Sequence, residues 1–198
     1  MTASRRSAFV GLVGAVLLLT ACMGLLIAQA IQSPPVRLQI DHAAPSIDLR
    51  DSSGEIVSLS DLRGRVVVLF FSSAVCPVSA DYAQRVGALA HRYSTDNVVF
   101  LRVETRCDER GQGLGQLPLR TLYDNDGALA TRYNVKVTPS FYVIGPRGQL
   151  RYSGAFDDSR DAANVKLEYC RDAIQSLLND EAVATTSTSA FGSALAPR

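Results

Sequence analysis

Val66-Val67-Val68-Leu69-Phe70-Phe71-Ser72-Ser73-Ala74-Val75-Cys76-Pro77-Val78-Ser79 is the stretch on which the fold turns. Its first six residues are apolar and β-branched or aromatic without a break, which suits a parallel strand covered on both faces. Pro77 suits the first position of a helix, where its missing N–H costs nothing. Apolar residues then recur at helical spacing at Val78, Tyr82, Ala83, Val86, Leu89 and Ala90. Cys76 is therefore predicted at a helix N-terminus, where unpaired backbone N–H groups favour the thiolate. Such a terminus lowers a thiol pKa by only about one unit. An activated thiol at this place needs further donors.

Outward from this stretch, a strand over 98–103 follows the helix over 77–93, and the order strand, helix, strand implies a right-handed parallel unit. Upstream, two short alternating runs over 44–59 surround Ser52-Ser53-Gly54 and predict a hairpin, followed by a helical turn over 60–64. Downstream, residues 104–118 are polar, carry Gly111, Gly113 and Gly115, and predict a flexible loop holding Cys107. Parallel strands expose their C-terminal ends on one sheet edge, so this loop is expected on the side of Cys76. A short strand over 120–123, a helix over 128–133 and a second hairpin, 135–144 with 150–153, come next. A last amphipathic helix is predicted over 165–178. The Thr-, Ser- and Ala-rich tail, residues 181–198, is predicted to be disordered.

With 198 residues the chain allows one globular domain with appendages, and 20 basic against 19 acidic residues give no field that would attract nucleic acid. Cys22, Cys76, Cys107 and Cys170 lack the paired spacing of a zinc site, and His42 and His91 are the only histidines, so neither a metal nor another cofactor is expected. Arg5 and Arg6 precede an uncharged stretch over 8–31, long enough for a membrane-spanning helix. The positive-inside rule keeps residues 1–7 in the cytoplasm and places the rest outside it. A cleaved signal peptide is a second reading of this stretch. A lipoprotein leader is a third, since Leu19-Thr20-Ala21-Cys22 resembles a lipobox with Cys22 as the lipidated residue. All three deliver the domain to an oxidising compartment. Residues 32–43, with Pro34-Pro35, form a spacer, and the domain itself is expected over 44–180.

Three segments carry a resemblance to a known family: Ser58-Leu59-Ser60-Asp61-Leu62-Arg63-Gly64-Arg65-Val66-Val67-Val68-Leu69, the Cys76 turn, and Val135-Lys136-Val137-Thr138-Pro139-Ser140-Phe141-Tyr142-Val143-Ile144. Together they resemble the redoxin branch of the thioredoxin superfamily. That branch includes membrane-anchored thiol-disulfide oxidoreductases and the alkyl hydroperoxide reductase/thiol-specific antioxidant enzymes. The resemblance implies an α/β three-layer sandwich, a mixed central sheet with an added N-terminal hairpin. It also implies that Pro139 is the family's cis-proline, facing Cys76, with Thr138 offering its backbone to an extended substrate. Pro77 and Ser79 would help position that substrate.

Two departures bear on activity. Ser79 stands where the family's Cys-X-X-Cys motif has its second cysteine, so no dithiol cycle is available within the motif. Leu69 and Ser73 stand at the two positions that the peroxidase signature Pro-X-X-X-Thr-X-X-Cys fills with proline and threonine, and the later peroxidase arginine would fall near Thr138.

Three roles remain open for Cys76: mixed disulfides with protein or small-molecule thiols resolved from outside, resolution by Cys107 after loop movement, or an inert structural thiol. A thiol peroxidase with Cys76 as the peroxidatic residue and a non-catalytic binding module are the rival functions. Any redox role requires the sulfur to be reachable and close to Pro139. Cys170 falls within the apolar pattern of Tyr169, Ala173 and Leu177 and reads as core. His91, Asp81 and Glu104 read as solvated side chains.

Overall fold

The computed structural model describes residues 38–105 and 117–195. The predicted membrane or signal segment, Cys22 and Cys107 lie outside these residues. Among the described residues no helix is long and apolar enough to cross a membrane.

Strands β1 (Asp48–Arg50) and β2 (Ile56–Ser58) form the expected antiparallel hairpin, and a 3-10 turn over Leu59–Leu62 leads into β3 (Val66–Ser72). Helix α1 (Pro77–Arg92), β4 (Val98–Thr105) and β5 (Arg120–Asp124) follow. Then come α2 (Ala128–Arg132), β6 (Val137–Thr138), β7 (Ser140–Ile144), β8 (Leu150–Gly154), α3 (Tyr169–Leu178) and β9 (Ser193–Ala194). The central sheet has the order β5-β4-β3-β7-β8. Its β5, β4 and β3 are parallel, and β7 and β8 add antiparallel pairings. This is the mixed sheet of a thioredoxin-like fold.

Every residue of β3 is buried, as its unbroken apolar run requires of a strand with a neighbour on each side and a layer on each face. Strand alternation divides the core. Val66, Val68 and Phe70 face α1 and α3, packing with Val78, Tyr82, Val86, Cys170 and Ile174. Val67, Leu69 and Phe71 face α2 and the hairpin, packing with Leu129, Tyr133, Ile47 and Val57. The three-layer arrangement is thus written in one strand. Asp124, fully buried, caps α2 by accepting the Leu129 and Ala130 backbone N–H groups at 2.9 and 2.8 Å.

Three expectations differ from the structure. Residues 38–43, expected within the spacer, belong to the domain: Leu38 and Ile40 pack on its core, and Asp41 N–H donates to Leu150 C=O at 2.8 Å. The last helix begins at Tyr169, not at residue 165. Lys166 N–H donates to the Asp158 carboxylate, and Leu167 C=O accepts from Asp158 N–H, so backbone groups that a helix would use are engaged by the loop after β8. The tail is the largest difference. In place of a disordered segment, residues 183–195 are laid across the domain: Val183 is buried, Ser187 bridges to Ser153, and β9 pairs antiparallel with β6. Composition predicts no core from Thr, Ser and Ala; the segment adds only Val183 and the edge contact of Leu195 to the core and is otherwise held by backbone pairing and by the Thr188 hydroxyl.

Candidate active site

Strand β3 ends at Ser72, and the chain crosses Ser73, Ala74 and Val75 before Cys76 caps α1. The Glu104 carboxylate fixes this crossing. It accepts from Ala74 N–H and from Ser72 Oγ and is ion-paired with Arg102, which also donates to Ser72. Glu104 is therefore a structural brace at the C-terminal end of β4, not the solvated carboxylate expected from its sequence position. Asp81 and His91 are exposed; Asp81 pairs with Arg160, and His91 lies in the last turn of α1.

Cys76 is the N-cap residue of α1, and its sulfur is the capping acceptor, 3.3 Å from Ser79 N–H. Pro77 occupies the first turn and is exposed. Across the cleft, the Thr138–Pro139 bond is cis, and Cys76 Sγ donates to the Thr138 carbonyl at 3.1 Å. The sulfur, the cis-proline turn and Ser79 thus come together as the resemblance implied.

One further neighbour was not foreseen. Ser193 Oγ lies 3.2 Å from Cys76 Sγ, brought there by β9. Ser79 Oγ and Thr138 Oγ1, both fully buried, have no hydrogen-bond partner. Burial disfavours the thiolate, yet hydrogen bonding, chiefly with the Ser193 hydroxyl and the Ser79 backbone N–H, outweighs it and brings the Cys76 pKa down to about 7. An ordinary thiol would titrate near 9. The donor that the helix terminus alone could not supply is the Ser193 hydroxyl.

The sulfur is nonetheless only 1% exposed. It meets the requirement of nearness to Pro139 and, with the tail in place, does not meet the requirement of access. Its cover includes the end of the chain. Cys170 is equally buried, with its Sγ 3.7 Å from the Ala155 carbonyl, and burial pushes its pKa well up. It is a core residue. Sequence reasoning missed Ser193 because a serine in a polar tail carries no periodic signal; the glycine at 192, in a stretch otherwise bearing side chains, was the available hint.

The AhpC/TSA family model matches residues 40–153. A search of curated proteins found no match. Among solved structures, the chain is similar to an uncharacterized conserved protein from Geobacillus kaustophilus, with TM-score 0.71 and 23% identity over 82% of this chain and 94% of that one. A hypothetical protein from Sinorhizobium meliloti gives 0.69 and 20% identity over 79% and 93%. A secreted Mycobacterium tuberculosis disulfide oxidoreductase, described as homologous to E. coli DsbE, gives 0.50 and 21% over 66% and 96%. At these identities the likeness is one of fold.

Proposed function

The chain belongs to the AhpC/TSA family, and we propose that it works as a thiol-disulfide oxidoreductase through one cysteine, Cys76. The observation that carries this reading is the position of Sγ. It caps α1, lies 3.1 Å from the Thr138 carbonyl at the cis-proline turn, and has a pKa of about 7, so a large fraction is thiolate near neutrality. In the step proposed, the Cys76 thiolate attacks one sulfur of a partner disulfide. A new S–S bond forms, the old one breaks, and the partner's other sulfur leaves as thiolate. Ser79 cannot resolve the mixed disulfide, so a second thiol must, either an external one or Cys107. Thr138 and Pro139 position the partner chain once Ser193, which pairs with Thr138, gives way, and Pro77 forms the exposed rim of the helix terminus.

The domain is proposed to act outside the cytoplasm, tethered through residues 8–31, where disulfides persist. The thiol peroxidase is the second chemistry of the family. Among the described residues, however, the groups bonded to Sγ are hydroxyl, amide and carbonyl, with no guanidinium to hold a peroxide.

The test is trapping. Full chain carrying Cys107→Ser is acid-quenched, and disulfide-linked adducts are mapped; an adduct at Cys76 that Cys76→Ser abolishes is the expected result. No adduct under oxidising or reducing conditions, in the full chain and in one ending at Ser189, would overturn the proposal. Sulfenic acid at Cys76 with peroxide turnover on a thiol donor would replace it by the peroxidase.

A further inference from the structure

The C-terminal segment touches the domain at two places, each marked by a glycine. At the first, Ser153 N–H donates to Thr186 C=O and Thr188 N–H to Ser153 C=O, both at 3.1 Å. Thr188 Oγ1 is shared with Tyr152 OH at 2.6 Å and accepts from Ala155 N–H at 3.0 Å. A Cβ on Gly154 would lie 2.3 Å from Thr188 Oγ1. At the second, Thr138 pairs with Ser193 and Val137 with Ala194, and Leu195 N–H donates to Lys136 C=O at 3.0 Å. A Cβ on Gly192 would lie 2.0 Å from the Thr138 carbonyl oxygen. Between the two contacts, Ser189 and Ala190 border a cleft of ≈ 310 Å³ lined also by Lys136, Ser140 and Gly154. Phe191, 37% exposed, lies against Tyr82, with ring centroids 6.1 Å apart.

Resting on the oxidoreductase reading, we infer that residues 190–195 are a displaceable strap that holds the site closed by standing in for the client. Within the strap Ser193 and Ala194 pair with the β6 edge, which sets Ser193 Oγ 3.2 Å from Cys76 Sγ, where a client sulfur would be attacked. The client that displaces it is then a polypeptide strand, not a small thiol. Its cysteine takes the register of Ser193, the residue before it is glycine because the Thr138 carbonyl leaves no room for a side chain, and the residue before that is aromatic. A serine hydroxyl at this register can donate to the sulfur but cannot exchange with it, so the strap occupies the site without being consumed.

The tests use full chain with Cys22→Ser and Cys107→Ser. Ser193→Cys, treated with oxidised glutathione, should lose two thiols and gain one internal disulfide. Cys76 attacks the glutathione disulfide and releases one glutathione thiolate, and the introduced cysteine displaces the second, so the two electrons leave on glutathione. No such bond overturns the register.

Separately, a chain ending at Ser189, which keeps Val183 and Thr188, and the point variant Gly192→Val should each be alkylated at Cys76 by iodoacetamide about tenfold faster or more, because a covered thiol reacts only through local opening. An unchanged rate in the shortened chain overturns the strap. Alkylation needs no disulfide exchange. A faster rate without any trapped client therefore keeps the strap and removes the oxidoreductase reading. Finally, a peptide copying residues 190–195 with cysteine in the place of Ser193, activated as its glutathione disulfide, should react with the shortened chain faster than the same peptide bearing valine in the place of Gly192. Equal rates overturn the client assignment.

Discussion

Replacing Ser193 by alanine removes one hydroxyl donor 3.2 Å from Cys76 Sγ and leaves the Ser79 N–H at 3.3 Å in place. Hydrogen bonds to charged groups contribute about 1.5–3 kcal/mol, and one pKa unit corresponds to about 1.4 kcal/mol, so full loss would raise the thiol by roughly one to two units. Water entering beside an alanine restores part of this. The expected outcome is a rise of about one unit from the wild-type value of about 7. Ultraviolet absorbance of the thiolate, followed against pH in a Cys22→Ser/Cys107→Ser background, reads the change directly. Cys170 does not interfere, since burial holds its pKa far above this range. Ser193→Thr, which keeps the hydroxyl, should stay within a few tenths of the parent. A Ser193→Ala titration superimposing on the wild type would refute the reasoning and assign the low pKa to the helix terminus and Ser79 alone.

Other consequences follow from the same contacts. The Cys76 pKa lies below its unfolded value, so its contribution to stability is fully present above the unfolded pKa, near 9, and is lost as pH falls through about 7. Two units correspond to about 2–3 kcal/mol, so chemical denaturation should show wild type losing about that much relative to Cys76→Ala between the two ends of this window, and parallel curves would count against it. Glu104→Ala leaves Ala74 N–H and the largely buried Arg102 without their shared acceptor and should cost about 2–4 kcal/mol in urea unfolding; a loss under about 0.5 kcal/mol would remove Glu104 as the brace. Phe70 stacks on Phe141 at 4.9 Å with both rings fully buried, so Phe70→Ala should cost about 3–5 kcal/mol in the same assay.

The fold was legible because its decisive signals are local and periodic. One apolar run fixed the central strand and, by having no polar alternation, its two covered faces, and Pro77 fixed the start of α1. The sulfur's place opposite Pro139 came from resemblance, and no spacing in this chain would have given it. Contacts between side chains distant in sequence were not legible. Glu104 reads as one more polar residue until β4 lies beside β3 and brings its carboxylate to Ala74. The tail reads as disorder because composition reports the means to build a core, and β9 is held by backbone pairing, which composition does not record. The start of α3 was misplaced for a related reason: the periodic pattern continues upstream of Tyr169, while the backbone there is bonded to the loop after β8.

Burial alone does not fix the direction in which a cysteine pKa moves, as the two cysteines among the described residues show. Cys76 and Cys170 are 1% and 0% exposed, yet their pKa values move in opposite directions. The difference lies in what faces each sulfur. The Ala155 carbonyl near Cys170 can only accept, so it supports the thiol and opposes the thiolate. Cys76 also lies against a carbonyl, that of Thr138 at 3.1 Å, but it faces in addition an amide N–H and the Ser193 hydroxyl, which can turn its proton toward a negative sulfur. The cover differs as well: Cys170 is enclosed by α3 and the sheet, whereas Cys76, part of the same core cluster, has Ser193 of the two-residue strand β9 against its sulfur. Lifting that strand removes one donor and with it part of the burial that disfavours the thiolate, and it opens the path, so the exposed thiol should be far more reactive. A chain ending at Ser189 should therefore show faster alkylation of Cys76 near neutral pH, while Cys170 stays unmodified until the protein unfolds. Mass mapping of the alkylated sites separates the two cysteines, and labelling of both at comparable rates would mean that shortening the chain had loosened the core instead of opening the site.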